Sequence, residues 1–167
     1  MKPAIFFFSG FLFATSLFCQ QQCDSTNLQA DKDQLRMFWI ALKESVNRKD
    51  KEKLSELVSF PFNCDYCIVD SAKGINKPYI KVTKTSFDKS QYQIFFAERL
   101  VTEINRRSFP ADDSIFQSYY NTISKKCSYS FGYTVRDETS QHPGMQHFFD
   151  IQKVNGRFKI SSAWTLP

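Results

Sequence analysis

The hydrophobic pattern of this chain changes period along its length, and each change marks a new element. From Asp31 to Arg48, Leu35, Phe38, Trp39, Leu42 and Val46 recur at spacings of three, one, three and four, which is one face of a helix. Asp31 and Asp33 near its start and Arg48 and Lys49 near its end complement the helix dipole. A second, short helix is predicted over Lys51 to Ser59, with Leu54, Leu57 and Val58 on one side. From Phe60 the period is two: Phe60, Phe62, Cys64, Tyr66 and Ile68 alternate with Pro61, Asn63, Asp65, Cys67 and Val69, as a strand with one buried face does. Pro61 cannot donate to a ladder, so it is expected at the strand's entrance or at an edge. Turn residues fill 70–77, and Tyr79 to Val82 reads as the returning strand.

Thr85 and Asp88 then stand at capping-box spacing. The helix they open is expected to run to about Arg106, carrying Phe87, Tyr92, Phe95 or Phe96, Leu100, Val101 and Ile104, and to stop at Phe109-Pro110. Residues 111–126 fit either a helix or an irregular strand. After them Cys127, Tyr129, Phe131, Tyr133 and Val135 fall on one strand face and Ser128, Ser130, Gly132 and Thr134 on the other. The small polar face suits a solvated surface or a flat dimer contact. A strand over Met145 to Val154 meets the last one through Asn155-Gly156, the strongest hairpin signal in the chain. The last strand is expected to present Phe158, Ile160, Ser162 and Trp164 on one side. The order implies an α+β fold, with an N-terminal helix pair and a long middle helix packed in a curved antiparallel sheet.

The first residues concern location. Lys2 precedes an apolar run from Ala4 to Phe18, broken by Ser9, Gly10, Thr15 and Ser16. The run is short for a membrane span and reads as a secretory signal over residues 1–19. Export to a periplasm or medium is therefore expected, with no membrane span in the mature chain. The bulky Phe18 before Cys19 argues against lipid attachment there. Residues 20–30 read as a polar arm, and 31–167 as one domain by length.

In an exported chain Cys23, Cys64, Cys67 and Cys127 read as disulfide candidates, with three full pairings open. Cys64 and Cys127 share the inward phase of their strands and are the first expectation for a bridge, leaving Cys67 free or bonded to Cys23. A metal site would need a second ligand pair beside Cys64 and Cys67; Cys127, His142 and His147 are dispersed, so none is assigned. The net charge of +5 is scattered, and nucleic acid is not an expected partner. Five glycines too far apart for a phosphate cradle leave no nucleotide cofactor to assign.

The run Phe38-Trp39 to Val46, then Asp50, Phe60-Pro61-Phe62, Ser86-Phe87-Asp88-Lys89 with Tyr92 and Phe95, and Phe148-Phe149-Asp150 paired to Gly156 through Ile160 resemble the nuclear transport factor 2-like superfamily. The likeness runs from Asp31 to the C-terminus and is nearest to exported bacterial members of unknown function. It implies a cone-shaped, cystatin-like fold shared with ketosteroid isomerase and scytalone dehydratase. The Cys64 to Cys67 spacing departs from that pattern. The resemblance makes Phe38, Trp39, Tyr66, Phe95, Tyr129, Tyr133, His147 and Trp164 candidates to line a cavity. A non-catalytic binding or interaction domain for a small apolar ligand or a protein partner, including a second copy of itself, is the first functional expectation. The alternative is a small cavity enzyme of the isomerase, dehydratase or hydrolase kind, using His147 and the tyrosines to stabilise developing charge. No catalytic set is assigned, since Asp150 falls on the opposite phase from His147.

Overall fold

The computed structural model describes residues 25–67, 80–108, 116–121 and 126–166. Helix α1 (Ser25–Asn47) turns sharply into α2 (Lys51–Glu56). In that turn Lys49 takes a left-handed backbone, φ 52°, and Asp50 N donates back to Ser45 O at 2.9 Å. Asp50 then caps α2 by accepting from Lys53 N at 3.0 Å, which satisfies one of its orphan donors. Because α1 begins at Ser25, residues 25–30 of the expected polar arm are helical. Asn27-Leu28-Gln29-Ala30 contains no breaker, and propensity extends the helix where periodicity gave no sign. Residues 20–24 and the expected signal lie outside the described residues.

The chain continues through β1 (Val58–Cys64), β2 (Ile80–Val82), α3 (Lys84–Lys89), a 3-10 segment (Gln91–Phe96) and α4 (Glu98–Arg106). It ends with β3 (Gln117–Asn121), β4 (Lys126–Arg136), β5 (Met145–Val154) and β6 (Arg157–Leu166). Among the described residues the strands form one curved, unclosed sheet in the order β2-β1-β6-β5-β4-β3. The α+β architecture expected from the sequence is therefore present. The sheet is not wholly antiparallel, since β1 and β6 run parallel, as their long intervening chain allows. Between β5 and β6, Asn155 (φ 50°) and Gly156 (φ 77°) make the tight turn with the positive φ that such hairpins require.

The long middle helix is in fact three segments. Ser90 (φ −157°) and Ala97 (ψ 130°) leave helical geometry, and the breaks let each segment turn its own apolar side inward. Phe87, Phe95, Leu100 and Ile104 are all buried. The cap also differs from expectation. Thr83 accepts from Ser86 N at 3.2 Å while Ser86 Oγ accepts from Thr83 N at 2.9 Å, a reciprocal capping box. Thr85 lies inside α3, and Asp88 pairs with Lys84 at 2.7 Å one turn earlier.

Two strand expectations change for local reasons. Pro61 is in neither an entrance nor an edge strand. It sits where β2 has not yet begun to pair and where the β1–β6 register shifts between Val58 and Asn63, so no ladder bond is asked of it. In β6 a bulge between Ile160 and Ser162 reverses the phase, as an extra residue must. Phe158, Ile160 and Ala163 face the core and are buried, while Ser162 and Trp164 face out. Ser128 and Ser130 are buried as well, so the small polar face of β4 is not the solvated surface its composition suggested.

Candidate functional site

The space between helices and sheet is closed with rings. Trp39 of α1 meets Phe131 edge-on at 5.4 Å and Phe116 at 5.6 Å. Phe149 of β5 stacks on Phe95 at 5.0 Å and on Phe131 at 5.1 Å. Trp39 and Phe95, expected to line a cavity, are thus packed core, and such contacts add to the burial of each ring. Phe38 is buried in the same core but also borders a surface groove. Tyr129 is also internal. Its hydroxyl donates to Asp31 at 2.9 Å, and Asp31 accepts from Lys153 Nζ at 2.9 Å. Burial, and then that carboxylate, raise the Tyr129 phenol above its ordinary range. This group ties α1 to the sheet and shows no open face for a ligand.

At the other end of the same inward faces the rings become polar. Tyr133 and His147 are cross-strand partners on β4 and β5, and the Tyr133 hydroxyl lies 3.2 Å from His147 Nδ1. Burial pushes the Tyr133 phenol up to about 12. The phenol thus stays protonated and pairs with Nδ1, donating to it or accepting from it according to the imidazole tautomer. Burial also lowers the His147 pKa, and the Asp65 carboxylate offsets this only in part. Above the imidazole lies Tyr66, ring on ring at 3.6 Å and 13°. Its hydroxyl is buried without a hydrogen-bond partner. Burial first, then the Tyr133 and Asp65 charges, raise it well above the usual phenol value.

Tyr66 reaches that place from a turn, not from the strand the alternation implied. Cys64 is bonded to Cys67, Cα to Cα 5.5 Å, and residues 65–67 fold back at the end of β1. The expected Cys64–Cys127 bridge is not formed, because Cys64 is bonded to Cys67 across a turn of two residues. Cys127 is itself disulfide-bonded, and Cys23 lies outside the described residues. Asp65 fixes the turn to the last strand. Its carboxylate accepts from Thr165 N at 2.8 Å and Thr165 Oγ1 at 3.0 Å, and its N–H donates to Ala163 O at 3.2 Å. Ile68, Val69, the 70–77 turn and Tyr79 lie outside the described residues.

Of the expected cavity residues, then, Tyr66, Tyr133 and His147 come together, and Trp164 does not join them. Trp164 stacks on Phe148 at 4.4 Å on the outer face, and Asp150 accepts from its Nε1 at 3.0 Å and from Ser162. Asp65 was missed, because its strand phase pointed it away from Tyr66. The spacing of Cys64 and Cys67 was the signal that a turn, and a change of phase, could fall between them.

Among the described residues, the surface grooves include one of about 700 Å³ that runs from α4 to the outer face of β4 and β5. Most of its charges are paired among themselves, Arg99 with Asp137 and Arg106 and Arg107 with Glu103, and Glu98 adds a further acid to its lining. Another, of about 1060 Å³, lies between α1 and the β5–β6 hairpin, with Met37, Phe38, Leu57, Val154 and Phe158 among its walls. Met37 is 65 % exposed and Ile40, one turn on, 46 %. Among the described residues no group of His, Cys, Asp and Glu could hold a metal ion, and no helix is long and apolar enough to cross a membrane.

No family model and no curated protein matches the chain. Solved structures similar to it are NTF2-like proteins. One, of unknown function, comes from Pseudomonas putida; it is 10 % identical, with a TM-score of 0.41 over 82 % of this chain and 86 % of its own. Another, described as having a cystatin-like fold, comes from Novosphingobium aromaticivorans; it is 13 % identical, with a TM-score of 0.41 over 86 % and 89 %.

Proposed function

We propose that this chain is an exported, non-catalytic binding domain that takes a small apolar ligand in the groove between α1 and the β5–β6 hairpin. The observation that carries this reading is the exposure of Met37 beside the apolar walls made by Phe38, Leu57, Val154 and Phe158, where a core residue would be covered. Methionine suits such a wall because its unbranched, polarisable side chain adapts to different shapes. Asp33 and Glu56, with Arg157 and Lys159, supply charges of both signs around the groove. A mixed rim favours neither a strongly anionic nor a strongly cationic ligand, so the apolar body of the ligand does the binding. The export half rests on the Lys2 and Ala4 to Phe18 run and fits the disulfide at Cys64–Cys67, since such bonds persist in oxidising compartments.

The test uses the neutral apolar dye Nile red. Wild-type protein is expected to bind it with one site, and Met37→Asp to weaken that binding at least tenfold, or about 1.4 kcal/mol. Equal binding by both proteins rejects the groove. Mass spectrometry of the exported fraction tests export, with a mature N-terminus beyond the apolar run as the expected result.

The Tyr133–His147 hydrogen bond favours one second reading, acid–base chemistry at the imidazole. A set of chromogenic ester and enone substrates tests it, with turnover expected to be lost in His147→Gln.

A further inference from the structure

The Cys64–Cys67 pair is the chemical motif that the groove leaves unused, and the turn it closes carries Tyr66, whose ring stacks on His147. Three contacts fix the turn it closes. The disulfide joins its two ends, Asp65 is bonded to Thr165 and Ala163, and the Tyr66 ring covers the imidazole at 3.6 Å. The first two hold the turn in place. The third is mixed, because stacking favours the closed position while the unpartnered, buried Tyr66 hydroxyl opposes it. A side chain whose hydroxyl would gain a water partner by leaving is restrained mainly by the backbone beneath it. That backbone is short, with only Asp65 and Tyr66 between the two cysteines, so the sulfur bridge is the strongest single restraint on it.

We propose that the Cys64–Cys67 turn is a thiol-controlled lid: oxidised, it holds Tyr66 over His147, and reduced, it releases Tyr66 and leaves a slot for a planar aromatic ligand carrying a phenolic or carbonyl oxygen. The ligand class follows from what Tyr66 now fills. One face of the slot is the His147 ring, Phe149 stands edge-on to it with centroids 6.2 Å apart from Tyr66, and Tyr133 is hydrogen-bonded at its side. Aromatic walls with few polar groups select a flat ring. Tyr66 is the protein's own occupant of that site. The groups facing His147 are Tyr66 and Asp65 from the turn and Tyr133 from β4; no acid on β5 itself faces it, as Asp150 is bonded on the outer face.

The redox step needs a dithiol reductant, which the proposal supplies as co-reactant. One thiolate of the dithiol attacks Cys67 Sγ, the more exposed of the two sulfurs at 4 % against 0 % for their residues. The Cys64–Cys67 bond breaks and a mixed disulfide forms. The second thiol of the reductant resolves it, forming the reductant's own disulfide. Two electrons and two protons pass from the dithiol to Cys64 and Cys67, which end as free thiols. This inference does not depend on ligand binding in the groove.

The chain's two histidines provide the assay. His142 is exposed and His147 half-covered, so diethyl pyrocarbonate labelling, read by mass spectrometry, gives a His147 to His142 rate ratio with an internal reference. The ratio is expected to rise at least tenfold when dithiothreitol reduces the full-length protein, and equally in the Cys64→Ser, Cys67→Ser protein without reductant. Added p-cresol, the side-chain analogue of tyrosine, is expected to slow His147 and leave His142 unchanged in both. Dithiothreitol also reduces the Cys127 bond, so oxidised Cys127→Ala must keep the low ratio. Should the double-serine protein not fold, Tyr66→Ala with its bridge intact must show the high ratio and the same p-cresol protection. A ratio unchanged by reduction, a high ratio in oxidised Cys127→Ala, or no protection by p-cresol overturns the proposal.

Discussion

Phe131 and Phe149 in the packed interior and Tyr133 and His147 at its mouth lie on the same inward strand faces, one alternation step apart. Below, Phe131 and Phe149 carry no heteroatom, although the Trp39 indole packed edge-on to Phe131 keeps its Nε1 buried without a partner. Phe149 is fully covered and meets Phe95 and Phe131 at 5.0 and 5.1 Å. Above, each ring carries an atom that needs a partner. Tyr133 and His147 find one in each other, and Tyr66 does not. The same backbone geometry therefore supports two kinds of ring packing with opposite costs. Carbon rings gain from every contact, whereas a phenol or imidazole gains only when its polar atom is matched. That difference is why Phe131 and Phe149 serve stability, while Tyr133 and His147 one step along the same faces can also offer polar atoms.

The interior half of the comparison is tested most severely by Phe149→Ala. Phe149 touches rings from the 3-10 segment, β4 and the disulfide turn, so no neighbour can close the void without disturbing another. Loss of about 3–5 kcal/mol is expected in urea unfolding, read as a lower midpoint with an unchanged slope. A loss under about 1 kcal/mol would mean that the interior is looser than its ring distances imply.

The mouth is sharpened by two hydroxyl deletions of the same size. Tyr133→Phe removes the hydrogen-bond partner of His147 Nδ1 and is expected to cost about 1 kcal/mol. Tyr66→Phe removes a hydroxyl that has no partner, keeps the stacked ring, and is expected to stabilise by about 1 kcal/mol. Opposite signs from chemically identical changes, measured by urea midpoints, would separate matched from unmatched polarity. Equal signs would erase the distinction between the two phenols.

How much of this was readable beforehand follows the same division. The interior was legible because alternation on β4 and β5 and the three-four spacing on α1 each report a single buried face; Phe38, Trp39, Phe131, Phe149 and Ile151 are all buried as their phase required. Asn155-Gly156 located its hairpin for an equally local reason, the positive φ at both positions. Failures came where one residue breaks the count. The β6 bulge sent Trp164 outward, and the Cys64–Cys67 bridge took Tyr66 off its strand and laid it on His147. Trp164 had been placed with the mouth, and Asp65 had been left out of it, through the same assumption of unbroken alternation. Which rings fill a space and which leave one depends on volumes across five elements, and no period in the chain encodes that sum.

Acid titration probes the mouth with a smaller effect. The folded pKa of His147 lies below its unfolded value, chiefly through burial. The unfolded chain therefore binds the proton more readily, and stability falls as pH drops through the ordinary histidine range near 6.5 toward the lower folded value. Below that value the contribution stays lost. Replacing His147 with Gln is expected to flatten this part of the stability curve, with His142, exposed and on the loop before β5, left in place as the control. A wild-type curve that rises on acidification through this window would contradict a buried, neutral imidazole.

The smallest expected effect is the most local, because it isolates charge from packing at the mouth. Asp65 raises the His147 pKa and also raises that of Tyr66, in each case against or beside the larger influence of burial. Its carboxylate is held by Thr165 N and Oγ1, and Asp65→Asn keeps one acceptor oxygen for those donors while removing the negative charge. His147 should then titrate lower than in wild type, since the one influence favouring the imidazolium is gone, and Tyr66 should ionise more easily. The two shifts are opposite to those expected if the turn simply loosened, because exposure to water would bring His147 up toward its ordinary value. Histidine ring shifts followed by NMR across acid pH distinguish the cases by sign alone. A rise in the His147 pKa would show that Asp65 acts by holding the turn closed, with its charge secondary, and the mouth would then have to be described as a matter of packing, like the interior beneath it.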